Sequence, residues 1–149
     1  MATSEVLSIR LPAGRGDVLR REARRRGRSL SELGALFIDE RLREAEFAHV
    51  EFRDSAVGRQ AYIRGTRLAV WQVVRLLRAR GGDEAAAAAH LGWPVERVKA
   101  AVHYAQSYAQ EIADALADHE AFGVERLARL LPSLEVLDVP PPPRRKRAR

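Results

Sequence analysis

Glu5 to Pro12 reads EVLSIRLP, and this stretch most narrows what the chain can become. Leu7, Ile9 and Leu11 alternate with Val6, Ser8 and Arg10, the period-two pattern of a half-buried strand, and Pro12 stops it. A lone strand cannot satisfy its own backbone N–H and C=O groups. No second strand follows nearby. Asp17 to Arg26 reads as a helix, Gly27 ends it, and Ser29-Leu30-Ser31-Glu32 is a capping box opening a second helix. A strand without a neighbour, followed by two helices, requires a second copy of the same chain. The apolar residues of the second helix, Leu33, Leu36, Phe37, Ile38 and Leu42, cover more than one face, as burial between subunits would demand.

Charge follows the same division. Residues 1–49 carry ten Arg against eight acids, and Arg10 to Arg28 alone holds eight Arg against two. Residues 50–120 balance at nine and nine, and the last ten residues are net +5. Two basic ends around a neutral middle point to polyanion binding at the ends and packing between them.

Over Glu5 to Phe47, LSIRLP followed by GRSLSEL resembles the ribbon-helix-helix family of DNA-binding proteins. The resemblance implies a homodimer, or a higher even oligomer, whose two antiparallel strands enter the major groove of operator DNA. Leu7, Ile9 and Leu11 would face the shared core. Val6, Ser8 and Arg10 would face base edges, with Arg10 reading guanine. Arg28, Ser29, Leu30 and Ser31 would clamp a phosphate, Leu30 and Ser31 through free backbone N–H groups at the helix start. Arg15, Gly16 and Glu22 stand where the family carries apolar residues or good helix formers, which predicts a short or loosely packed first helix.

A second unit is centred on Tyr62 to Leu77, YIRGTRLAVWQVVRLL. Val50 and Phe52 alternate with Glu51 and Arg53 as an edge strand ahead of it. Gly65 supplies the positive φ of a tight turn, and the chain returns through Leu68. Val70, Val73, Val74 and Leu77 then form the stripe of a core-facing helix. Gly81-Gly82 ends that helix, Asp83 caps the alanine-rich next one, and Gly92 takes the left-handed conformation at its end. Pro94 suits the first turn of the third helix. Ala88, Gly92 and Val98 have the spacing of a helix-turn-helix. Val95, Val98, Val102, Ala105, Ala109, Ile112 and Leu116 keep an a/d seam for three heptads, predicting one long third helix flanked by Tyr104 and Tyr108, suited to self-association or, alternatively, to docking on the helices over 70–80 and 83–91.

Through YIRGTR, VWQVV, the Gly81–Glu84 break and VERVKAAVHYA, residues 50–118 resemble the bacterial family catalogued as domain of unknown function 433, associated with VapB-type antitoxins. The would-be recognition helix presents Glu96, Arg97, Lys99, Ala100 and His103. Its near-zero net charge favours packing over base readout, and Arg97 and Lys99 are its candidate DNA contacts.

The end of the chain is apolar and then basic. Leu127, Leu130, Leu131 and Leu134 share a helical face that Pro132 ends or kinks. Pro140 to Pro143 is a polyproline spacer before RRKRAR. The fold expected is mainly α. Residues 1–47 form the ribbon-helix-helix arm, and 48–120 a helix-turn-helix-like domain with a short β-hairpin. An apolar segment over 121–139 and a Pro-rich basic tail over 140–149 follow. The combined resemblance implies the antitoxin of a type II toxin–antitoxin pair. It would bind operator DNA as a dimer and neutralise a PIN-domain ribonuclease toxin. Phe122, Leu127, Leu130, Leu131 and Leu134 would bury against that toxin, and Arg144, Arg145 or Arg147 would approach its carboxylates. The alternative is a stand-alone dimeric transcriptional regulator in which 121–139 folds back on the core.

Enzyme chemistry finds no support in the motifs. His49, His90, His103 and His119 show no i, i+4 pairing and no HExxH, and GxSxG, P-loop and GxGxxG patterns are missing. A non-enzyme without metal or cofactor is expected. No apolar stretch approaches membrane-spanning length and no h-region follows MATSEV, so a cytoplasmic location is expected.

Overall fold

Gly14, in the left-handed conformation at φ 78°, opens α1 (Arg15–Arg25). The helix therefore starts two residues ahead of Asp17 and contains both Arg15 and Gly16. Its packing is as thin as its composition suggests, with Ala23 the buried residue. Gly27 (φ 60°) ends it, and α2 (Leu30–Glu46) starts on the expected capping box. Ser29 Oγ accepts from the Glu32 amide at 3.2 Å, and Glu32 Oε2 accepts from the Ser29 amide at 2.8 Å. Of the apolar residues on α2, Leu33 is fully buried, Leu36 and Phe37 are half-buried, and Ile38 and Leu42 are exposed.

Two antiparallel strands follow, β1 (Val50–Ser55) and β2 (Gly58–Ile63), with Val50 opposite Ile63 and Ser55 opposite Gly58. This register places Val50, Phe52, Ala61 and Ile63 on one face and Glu51, Arg53, Gln60 and Tyr62 on the other. The connecting Ala56-Val57 turn has no Asn or Gly at its two central positions, but Gly58 follows at φ 108°. Ser55 holds it, its Oγ donating to the Gly58 carbonyl at 2.7 Å and accepting from the Val57 amide at 3.3 Å. The turn read at Gly65 (φ 73°) is a second one. There the Ile63 amide donates to the Leu68 carbonyl at 3.0 Å, and Tyr62 bridges to Ala69.

From that bridge the chain enters α3 (Val70–Ala79), which buries Val70, Val73 and Val74. Gly81 and Gly82, both at positive φ, follow it. Asp83 caps α4 (Glu84–Leu91) by accepting from the Ala86 amide at 2.9 Å, and Gly92 ends it in the left-handed region. Pro94 directly precedes α5 (Val95–Ser107), against which α3, α4 and β2 all pack, while α2 packs on β1.

The single long third helix is not formed. Tyr108 (φ −120°, ψ 47°) leaves helical geometry, so α5 stops at Ser107 and α6 (Ala109–Ala121) starts anew. The face that is buried also differs from the seam: α5 buries Val98, Ala100, Ala101 and Tyr104, a face rotated away from Val102, Ala105 and Ala109. Tyr104, expected as a flanking residue, is fully buried. Its ring lies edge-on to Phe47 at 5.4 Å and to Phe52 at 6.3 Å, and its hydroxyl accepts from Arg43 at 3.0 Å. Helix α6 buries Ile112 and Leu116.

The computed structural model describes residues 6–123 and 129, of which those up to Ser107 form one compact unit and those from Tyr108 a second. Among the described residues the protein is mainly helical with one two-stranded antiparallel sheet. No described helix is long and apolar enough to cross a membrane.

Candidate nucleic-acid interface

The stretch Val6–Pro12 belongs to no strand or helix within the single chain. Both of its alternating sets are exposed, including the set expected to face a core: Val6 is 90% exposed, Leu7 69%, Ile9 58% and Leu11 49%. Ser8 and Arg10 are exposed as well, and the Arg10 guanidinium has no partner among the described residues.

Part of the β1 edge of the neighbouring hairpin is already occupied. The Phe52 amide donates to Glu44 at 3.0 Å, the Phe52 carbonyl accepts from Arg59 at 3.3 Å, and the Val50 carbonyl accepts from Arg64 at 3.0 Å. Side chains thus occupy the outward backbone groups of Phe52 and the Val50 carbonyl, which blunts that part of the edge against further pairing.

Exposed apolar surface concentrates in the same part of the molecule. Among the described residues, every exposed large apolar side chain except Val57 and Phe122 lies before residue 47: the four above, then Val18, Leu30, Ile38 and Leu42. Ile38 and Leu42 stand one turn apart on α2.

At the start of α2, the amides of Leu30 and Ser31 have no acceptor among the described residues. Arg28 and Ser29 sit beside them, both exposed, so the four residues read as a phosphate clamp are together. They share the site with an anion. The hydrogen bond from the Ser29 amide holds the Glu32 carboxyl below its usual range, so it is ionised at neutral pH at the positive end of the helix. Any phosphate there would use the Leu30 and Ser31 amides and the Arg28 guanidinium, since Glu32 already takes the Ser29 amide.

A charged cluster anchors this arm to the hairpin, and the sequence reading did not find it. Arg26 donates to both oxygens of Asp54, at 2.9 and 3.1 Å. Arg59 Nε lies 2.6 and 2.7 Å from the two oxygens of Glu40, whose side chain is 7% exposed. Phe37 lies between the two guanidinium carbons, 5.7 Å from Arg26 and 6.0 Å from Arg59. A signal was present: Leu33, Phe37 and Glu40 lie on one helical stripe, so an acid stands where the core-facing pattern continues.

The two candidate contacts on α5 are not brought together. Arg97 lies over Trp93 at 5.9 Å, whereas Lys99 lines a cleft of about 660 Å³ with Glu96, His103, Glu46, Phe47 and His49. This face of α5 is thus the wall of a cleft with two carboxylates in it, poorly suited to lie along DNA. Phe122, following α6, is 39% exposed. Leu127, Leu130, Leu131, Leu134, Arg144, Arg145 and Arg147 lie outside the described residues. No family model, curated protein or solved structure matches the chain.

Proposed function

We propose that the chain is a homodimeric DNA-binding regulator of the ribbon-helix-helix type, its two Val6–Leu11 segments pairing as an antiparallel ribbon in the major groove. The observation that carries this reading is the exposed, unpaired Val6–Leu11 segment in a chain whose α2 also leaves Leu30, Ile38 and Leu42 uncovered. A second copy supplies both missing partners, since ribbon pairing satisfies the backbone and turns Leu7, Ile9 and Leu11 onto the apolar side chains of α2. Val6, Ser8 and Arg10 then face outward as one row. The free amides of Leu30 and Ser31 provide a phosphate anchor on each protomer.

The test is a footprint on a binding sequence selected from random DNA, with the mass in solution measured in parallel. Arg10→Ala should weaken binding and relax preference at one base of each half-site, by about 1–3 kcal/mol if the contact to guanine is bidentate. A monomer at working concentration, or an unchanged footprint, removes the assignment.

The resemblance over 50–118 supports a narrower role as a type II antitoxin. In that role the apolar residues from Phe122 to Val139 bury against a PIN-domain ribonuclease, and Arg144, Arg145 or Arg147 meets its acidic pocket. Truncation after Val139 should leave the dimer folded and DNA-competent while lowering neutralisation of a ribonuclease encoded beside it. Intact neutralisation would remove arginine insertion. Absence of any such ribonuclease would favour the stand-alone regulator.

A further inference from the structure

Helix α1 carries more positive charge than its packing uses. Gly16, Leu19, Ala23 and Arg26 form its sheltered side, with Arg26 committed to Asp54. Its two acids are also committed, Asp17 to Arg20 at 2.6 Å and Glu22 to Arg25 at 3.0 Å. Arg21 and Arg24 remain exposed, three residues apart on the outer side, with no hydrogen-bond or ion-pair partner among the described residues. Arg28 stands in the turn that follows, exposed and equally without such a partner, beside the open amides of Leu30 and Ser31. Arg28 feels the nearby Glu32 carboxylate, but Arg21 and Arg24 do not, and like charges a turn apart on a helix repel unless an anion covers them.

We infer that Arg21, Arg24 and Arg28 form a strip that contacts the phosphates of duplex DNA beyond the bases facing Val6, Ser8 and Arg10. The choice of polyanion rests on the ribbon reading above. Guanidinium groups bind phosphate oxygens in pairs of hydrogen bonds. Such contacts release condensed counterions and carry no base preference. The strip therefore widens the footprint and makes affinity steeply dependent on salt, while the ribbon supplies selectivity. Arg28 belongs both to this strip and to the phosphate anchor at the start of α2, so the two share a residue.

The test uses the full chain and a fluorescein-labelled mixed-sequence duplex several helical turns long, with binding followed by anisotropy across a salt series. The Arg21→Gln/Arg24→Gln variant should lower the slope of log K against log salt by about 0.9 per charge removed, roughly two per bound protomer. Both residues are exposed, and the helical circular dichroism should be unchanged. Arg78→Gln, which removes an exposed charge from α3, should leave the slope where it was. An unchanged slope in the double variant, or an equal fall in Arg78→Gln, overturns the strip. Arg10→Ala on a selected binding sequence separates this from the ribbon reading. If the strip alone fails, Arg10→Ala still alters base preference while the double variant keeps its slope. If the ribbon alone fails, the double variant loses slope while base preference ignores Arg10. A chain with no affinity for duplex DNA overturns both.

Discussion

Replacing Arg59 with Met tests whether the Glu40 pair clamps the arm to the hairpin. Glu40 is almost wholly buried, and Arg59 Nε is within 2.7 Å of both its oxygens. Arg59 also donates to the Phe52 carbonyl at 3.3 Å and lies near Asp54 at 3.4 Å, so one side chain joins α2 to both strands. Removing one partner of a buried pair costs about 3–5 kcal/mol, because the remaining charge stays desolvated without compensation. Arg59 is 24% exposed, so water reaches the gap and the lower end applies, about 3 kcal/mol. With a urea m-value of about 1.5–2 kcal/mol/M, the midpoint should fall by about 1.5–2 M. Trp71 and Trp93 provide the fluorescence signal. Adding Glu40→Leu removes the stranded carboxylate, and the double variant should return to within about 1 kcal/mol of the parent. A loss below about 1 kcal/mol for Arg59→Met, the range of a surface pair, would refute the clamp. So would simple additivity in the double variant, since contacting residues should couple.

Three further outcomes are expected. Asp54 is held below the usual carboxylate range, chiefly by the hydrogen bond from Arg26 and then by that from Arg59. A depressed folded value means that its contribution is complete above the unfolded pKa of about 4 and is lost as pH falls through the folded value. The stability gap between the parent and Asp54→Asn should therefore be constant from neutrality down to about pH 4 and close below it, as read by urea midpoints across pH. Ser29→Ala removes the acceptor of the Glu32 amide and should cost about 1 kcal/mol in the same assay, with Ser29→Gly costing less. Gly65→Ala places a side chain at φ 73° where nothing lies within 4 Å of the new Cβ. Its cost should be purely conformational, about 1–2 kcal/mol, and no compensating change in neighbouring side chains should rescue it.

Local chemistry was readable from the sequence where one residue type solves one backbone problem. The Ser29/Glu32 box, the Asp83 cap, Gly65 in its turn and Gly92 after α4 all stand where their residue types demanded. The Val70, Val73 and Val74 stripe also became core, because helical period and burial agree there. What could not be read depended on tertiary geometry. The Ala56-Val57 turn carries no Asn-Gly or Asp-Gly at its centre; the Ser55 hydroxyl holds it and Gly58, at φ 108°, closes it, so the central dipeptide does not mark it. The break at Tyr108 was hidden because apolar spacing runs straight through it. The Phe47 and Phe52 rings, distant in sequence, are what Tyr104 packs against when it turns inward. At the candidate interface, the open amides of Leu30 and Ser31 follow from the capping box alone. The cluster of Arg26, Asp54, Glu40 and Arg59 could not be paired from charge pattern, since many acids and arginines compete at similar separations.

These contacts constrain any dimer built through the arm. Were α1 and α2 a tethered module, their dimerisation would leave the later helices free to move. Instead Arg26 ties α1 to β1, Arg59 ties β2 to α2, and Arg43 with Phe47 ties α2 to Tyr104 on α5. Residues from α1 through α5 belong to one compact unit. In the proposed dimer, pairing two Val6–Leu11 segments would therefore also fix the separation of the two α3–α5 bundles. That couples two properties usually measured apart. A substitution that loosens the clamp without touching the ribbon, such as Arg59→Met, should leave Arg10-dependent base preference intact while weakening dimer affinity. The weakening follows because α2 would then present Leu30, Ile38 and Leu42 from a less rigid support. Equal dimer affinity in parent and clamp variant, at a temperature where both stay folded, would show that the arm dimerises independently of the unit on which it rests.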